Sequence, residues 1–252
     1  MSESTLQKPA LMCIPDISGF TRFIAENNIE FSRKIIPPLL RKMVGSNTID
    51  LRVGEIEGDA VVFYRYGDLP ELSVLVEQCK AFYTNFNEEL NVLMEQFAND
   101  FHENLSSSRL SLKIIVHAAV MMSTEIKGHT KLLGEDVVVA HKLLKNSVKD
   151  SEYILLTEKF LAHYTPSEIE RVFSWSKLVN GSDDYEFIGQ VKYRSIVLTP
   201  EVSNGTNGQG DNDRHHLPQS ALHQVARNLG FVEGARHRAS DHRIFEGSAK
   251  RA

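Results

Sequence analysis

An aspartate stands at the end of each of two apolar, strand-like runs, and this pairing restricts the possible folds more than any other feature. The first run is Cys13-Ile14-Pro15-Asp16-Ile17-Ser18-Gly19-Phe20-Thr21, with Asp16 just before a glycine turn. The second is Gly54-Glu55-Ile56-Glu57-Gly58-Asp59-Ala60, with Asp59 on the turn itself. Each signal is common singly, since Asp-x-x-Gly makes turns and Gly-Asp makes hairpins. Together they predict two neighbouring strand ends whose carboxylates meet. Such a pair can converge on one hard cation, with room for a phosphate. That points to metal-assisted chemistry on a nucleoside triphosphate.

Hydrophobic spacing fills in the elements around this pair. Residues 10–17 read as a buried strand, and 19–44 carry apolar residues at helical spacing, with Pro37-Pro38 expected to kink or break the helix. Residues 50–57 and 60–66 form a hairpin around Glu57-Gly58-Asp59. Residues 70–99 form a long amphipathic helix with Leu72, Leu75, Val76, Cys79, Phe82, Phe86, Leu90, Leu93 and Phe97 on one stripe. A polar loop at 101–109 leads into a central strand at 110–121, and Gly134 opens a helix running to about Asn146. Residues 152–157 are a strand, 158–173 a helical connection, and 184–198 a closing hairpin or one long bent strand. The order β-α-β-β-α-β-α-β-β predicts an α+β fold, a mixed sheet flanked by helices.

Composition narrows the setting. With 252 residues, 42% of them hydrophobic, the chain can bury one large domain, or one domain plus an appendage. No apolar run reaches the roughly 18 residues of a membrane span, and Met1-Ser2-Glu3-Ser4-Thr5 carries no signal-peptide pattern. Two cysteines, Cys13 and Cys79, fit a reduced compartment, so the expected location is the cytoplasm. A net charge of −5 offers no basic excess for nucleic acid. After Pro200 the residues turn to Ser, Asn, Gly and Asp, which predicts a flexible linker and tail over 200–252, with a short helix at Ser220–Leu229.

These motifs resemble those of the class III nucleotidyl cyclases, the adenylyl and guanylyl cyclase catalytic domains, over about residues 9–199. Asp16-Ile17-Ser18-Gly19-Phe20-Thr21 is similar to the first metal motif of that superfamily, and Glu55-Ile56-Glu57-Gly58-Asp59-Ala60 to its second. Ile115-Val116-His117-Ala118-Ala119 follows its His-x-Gly strand, with Ala119 for Gly. Gly134 to Leu143 follows the helix that carries its transition-state residues. The resemblance implies a ferredoxin-like βαββαβ core, a nucleoside triphosphate substrate, and Mg²⁺ or Mn²⁺ held by Asp16, Ile17 and Asp59. It implies base selection by Glu55 and Lys131, a triphosphate contact from Lys192, and a catalytic role for Lys142, for which the adjacent His141 is the candidate to compensate. It also implies a head-to-tail homodimer with shared sites, for which Val137-Val138-Val139-Ala140 offers an apolar contact.

The departures from the pattern are as informative as the matches. Val138 stands where the transition-state Asn belongs, and Lys142 where the Arg belongs. Val cannot orient a ribose, and Lys lacks the planar fork of Arg. Glu55 suits guanine, whereas Lys131 contradicts a simple guanine assignment; the two can instead neutralise each other. Three functions follow: a slow cyclase, a degenerate cyclase domain that binds nucleotide or a partner as a regulator, or an unrelated α+β binding module.

Overall fold

A computed structural model describes residues 7–98 and 110–198. The chain divides into two units, residues 1–211 and 212–252, and every described residue belongs to the first. The expected loop at 101–109 and the expected linker, tail and tail helix lie outside the described residues.

The first strand, β1 (Lys8–Ser18), is buried along most of its length. Its ladder with β3 (Ala60–Tyr66) pairs Cys13 with Phe63 and then Asp16 with Ala60. The lapse falls at Ile14–Pro15, where Pro15 has no N–H to give. Between them, β2 (Arg52–Glu57) turns into β3 through Gly58–Asp59, with Gly58 at φ 62°. That left-handed conformation is what a two-residue hairpin demands and what glycine supplies.

The helical segment after β1 breaks, but not at the prolines. It divides into α1 (Phe20–Glu26) and α2 (Ile29–Gly45), and Pro37 and Pro38 lie inside α2. The break falls at Asn27–Asn28 because Asn28 is a good N-cap: its Oδ1 accepts the N–H of Phe31 at 2.8 Å. Past the cap, Phe31, Ile35, Ile36, Leu39 and Met43 are buried, and their packing holds the helix across the prolines. The long helix α3 (Leu72–Gln96) buries the expected stripe from Leu72 to Leu93, and Phe97 is its C-cap.

The strand after α3 is longer than its sequence suggests. It runs as β4 (Ser111–Ile126) and returns as β5 (His129–Leu133), a strand absent from the periodicity reading. Helix α4 (Glu135–Lys142) follows, then a 3₁₀ turn, β6 (Tyr153–Thr157), α5 (Glu158–Leu161) and α6 (Pro166–Val172). The closing segment is a hairpin, β7 (Val179–Tyr185) and β8 (Gly189–Val197), starting five residues earlier than expected.

The strands form one mixed sheet in the order β2-β3-β1-β4-β6-β8-β7, with β5 paired to β4. Only β4 and β6 run parallel. Helix α3 covers one face, where the rings of Phe63 and Phe82 stack at 5.1 Å. Helix α4 covers the other, packing Val137, Val139 and Ala140 against Met12, Ile14 and Ile115. Among the described residues no helix is long and apolar enough to cross a membrane.

Candidate functional site

Strand pairing brings the two aspartates together. Asp16 sits opposite Ala60 on β3, one residue past Asp59, and the Ile17 N–H donates to the Asp59 carbonyl oxygen at 3.2 Å. Burial and the neighbouring carboxylate of Asp16 push Asp59 up to about 6. The two carboxylates offer hard oxygen donors of the kind a divalent cation takes. Among the described residues no group of three or more His, Cys, Asp and Glu side chains is placed to hold a metal ion. Any cation here would rest on two carboxylates plus oxygens from elsewhere, such as a phosphate.

A third charge at the site was not singled out from the sequence. Lys113 of β4 is the cross-strand partner of Asp16. Its Nζ lies 3.0 Å from Asp16 Oδ2 and donates to the Leu144 carbonyl oxygen at 2.8 Å. The signal was present in Leu112-Lys113-Ile114, a lysine inside an apolar strand, which needs a partner to be buried. Lys113 partly neutralises Asp16.

The two base-selecting positions meet as well. Lys131 of β5 lies 3.0 Å from Glu55 of β2, so of the two sequence alternatives mutual neutralisation is the arrangement found. Glu55 is hydrogen-bonded to Glu57. Burial works against ionised Glu55, but the bonds to Glu57 and Lys131 outweigh it and lower its pKa. Glu57 is raised, chiefly by the bond to Glu55. His141 Nδ1 stands 3.3 Å from Glu57 Oε2. A continuous polar string, Lys131–Glu55–Glu57–His141, therefore links β5, β2 and α4.

Other expected residues fall elsewhere. In the apolar run of α4, Val137, Val139 and Ala140 pack on the sheet, and Val138 alone is left 49% exposed. The run is thus core rather than interface, because the helix period turns only Val138 outward, together with Lys142 one turn on. Lys192 is exposed on β8, separated from β1 by β4 and β6. Three strand spacings amount to about 14 Å. Lys192 also alternates with Tyr193, which shares the core of Met12 and Ile14, so it leaves the opposite face from Asp16. Within one protomer it does not join the aspartates.

A second buried polar cluster lies under α4. Asp136 Oδ2 accepts the Val120 N–H at 2.6 Å, and Oδ1 lies 3.2 Å from His117 Nε2. Lys159 Nζ reaches both oxygens, at 2.5 and 2.7 Å. His117 Nδ1 contacts Thr157 Oγ1 at 2.9 Å. Burial opposes ionisation of Asp136, but the bonds to His117 and Lys159 outweigh it and hold the carboxyl far below its ordinary range. The Thr157–His117–Asp136 chain has the order of a nucleophilic triad, yet Thr157 and His117 are sealed in the core and Thr157 caps α5.

Comparison with known proteins places this geometry in a fold. The chain superposes on the adenylyl cyclase CyaB from P. aeruginosa with a TM-score of 0.50 at 14% identity, covering 78% of this chain and 96% of that one. The guanylyl cyclase Cya2 gives 0.52 at 15%, covering 80% and 98%. A bacterial light-regulated adenylyl cyclase gives 0.52 at 12%, covering 91% of this chain and 59% of that one. The chain thus has the fold of adenylyl and guanylyl cyclase domains. Residues 36–153 match a family described as "Protein of unknown function (DUF2652)". An uncharacterized protein of Mycobacterium tuberculosis (strain ATCC 25618 / H37Rv), Rv2561/Rv2562, is 28% identical over 109 residues, 43% of this chain and 50% of the relative. The match spans half of that relative's length.

Proposed function

We propose that this protein is a slow nucleotidyl cyclase, converting a nucleoside triphosphate to a 3′,5′-cyclic nucleotide and pyrophosphate. The observation that carries this reading is the meeting of Asp16 and Asp59 at adjacent strand ends, with Lys113 beside them, on a cyclase-domain fold. The hard oxygen donors fit Mg²⁺ or Mn²⁺, with the Ile17 backbone next to them. Bound there, such a cation would supply charge stabilisation at the phosphates and acidify the ribose 3′-hydroxyl. Asp16 and Asp59 would hold the cation to which the triphosphate binds, and Lys113 adds positive charge on the same side. Lys142 is the candidate phosphate contact from α4, and the Glu55–Lys131 pair, with Glu57 and His141 behind it, is the candidate base contact. Incubation with each of four nucleoside triphosphates and Mn²⁺ or Mg²⁺, with products identified by mass spectrometry, tests the reading. No cyclic product from any of them sinks it.

Slow turnover follows from α4. Val138 exposes an isopropyl group where the family motif has a hydrogen-bonding side chain. The loss of one preorganised donor costs about 2.7–4 kcal/mol of barrier, a factor of about 10² to 10³. Val138→Asn with Lys142→Arg is expected to raise the initial rate by at least about tenfold. A double variant no faster than the parent counts against this account. Exposed Val138 also favours a second reading, a regulator that binds nucleotide without turnover. Calorimetric binding without product would select it.

The site is completed by a second copy in this reading. Val120, Ile126 and Leu133 are exposed on the β4–β5 hairpin, a surface suited to a head-to-tail homodimer. Mixing Asp59→Ala with Lys142→Ala protein is expected to recover activity that neither shows alone. A mixture as inactive as its components, or a monomer at micromolar concentration with nucleotide present, excludes shared sites.

A further inference from the structure

Helix α4 has eight residues and no side-chain N-cap. A helix that short does not persist unaided, so its position must come from tertiary contacts. Two of them grip the same point on β4. Gly134, at φ 150°, lies so close that a Cβ there would come within 3.0 Å of the Val120 carbonyl oxygen and 3.3 Å of Met121 Cα. Two residues on, Asp136 takes the Val120 N–H. The same carboxylate is held by His117 of β4 and by Lys159 of α5, while His117 is braced by Thr157 of β6. One side chain therefore joins the helix to the strand beneath it and to the helix beyond.

We propose that Asp136, with Lys159 as its counter-ion, is the positioning residue of the candidate site. It fixes the first turn of α4 on β4, and so sets where Val138 and Lys142 stand. A carboxylate with donors on three sides has one place to sit, whereas apolar packing alone tolerates sliding. Lys159 reaches it from a half-exposed position and so supplies the charge without sealing a second ion in the core. The statement about Lys142 rests on the functional reading above; the anchoring of α4 does not.

Amide hydrogen exchange on the full chain tests the anchoring, with Asp136→Asn and Lys159→Met compared with the parent well below their melting temperatures. The amides of Val138–Lys142 are expected to exchange about tenfold faster in Asp136→Asn and by a smaller factor in Lys159→Met, while those of β1 and β3 keep parental rates. Unchanged α4 rates, or one uniform acceleration over the whole sheet, overturn the proposal. Should Asp136→Asn fail to fold, Lys159→Met decides by the same readout. A double-mutant cycle with Lys142→Ala then tests positioning, read as affinity for a fluorescent nucleoside triphosphate analogue with Mn²⁺. Lys142→Ala is expected to cost about tenfold in the parent and under about twofold in Asp136→Asn. Additive losses overturn the link to Lys142. A parent that binds no triphosphate sinks the proposed function instead, and the exchange result alone then decides the anchoring.

Discussion

Asp59→Asn is expected to stabilise the metal-free protein near pH 7.5 and to abolish its stabilisation by metal and nucleotide. Folding raises the Asp59 pKa from 3.8 to about 6, so the folded state binds this proton more tightly than the unfolded chain does. A raised carboxyl costs nothing below its unfolded value, and its penalty grows as pH rises from about 4 to 6. A shift of this size corresponds to about 3 kcal/mol at most. Asp59 is partly solvated, so about 1–2 kcal/mol is the realistic gain for Asn above pH 6, and none below pH 4. In a domain of this size that raises Tm by about 2–8 °C. The parent should gain stability on adding Mn²⁺ with nucleotide, and the variant should not. Its metal–nucleotide affinity should fall by roughly 10²-fold or more, beyond the 10–100-fold typical of losing only a group behind a ligand. Thermal melts across pH 4–8, with calorimetry of the metal–nucleotide complex, read both effects. Equal affinity in parent and variant removes Asp59 from the site.

Asp136→Ala should be the most destabilising single change at the root of α4. It leaves His117 Nε2, the Val120 N–H and Lys159 without their acceptor. Removing one partner of a buried charged cluster costs about 3–5 kcal/mol, and the exposure of Lys159 favours the low end. About 3 kcal/mol lowers Tm by roughly 6–12 °C. The folded pKa of Asp136 is depressed, so its stabilisation is present above the unfolded value of 3.8 and is lost as pH falls below it. The gap between parent and variant should therefore be constant from pH 5 to 8 and shrink on acidification below about 4. Calorimetry over that range checks it. A loss below about 1 kcal/mol shows that the cluster is not holding the helix.

Much of this was legible in the chain because it is encoded locally. The stripe of α3 follows from apolar residues at helical spacing, and the β2–β3 turn from Gly58 next to Asp59. That Asp16 and Asp59 stand near strand ends was readable for the same reason, whereas their meeting depends on the pairing of β1 with β3. Local signals also misled. Pro37-Pro38 argued for a kink or break; α2 continues through them, and the break falls at Asn28 instead. Strand β5 escaped notice because His129-Thr130-Lys131-Leu132-Leu133 has little apolar alternation, and its existence depends on pairing with β4.

The sequence by itself determined most of the elements, the cyclase-like order of motifs, and which carboxylates stand near strand ends, because these depend on neighbours a few residues apart. Only the tertiary structure decided that Lys113 faces Asp16, that Lys131 closes on Glu55, that Lys192 leaves the far side of the sheet, and that Asp136, His117 and Lys159 form one cluster. Those facts are matters of register and strand order. A shift of one residue along a ladder would turn every side chain to the other face. Register is fixed by the summed burial of the whole sheet, not by the residues that do the chemistry.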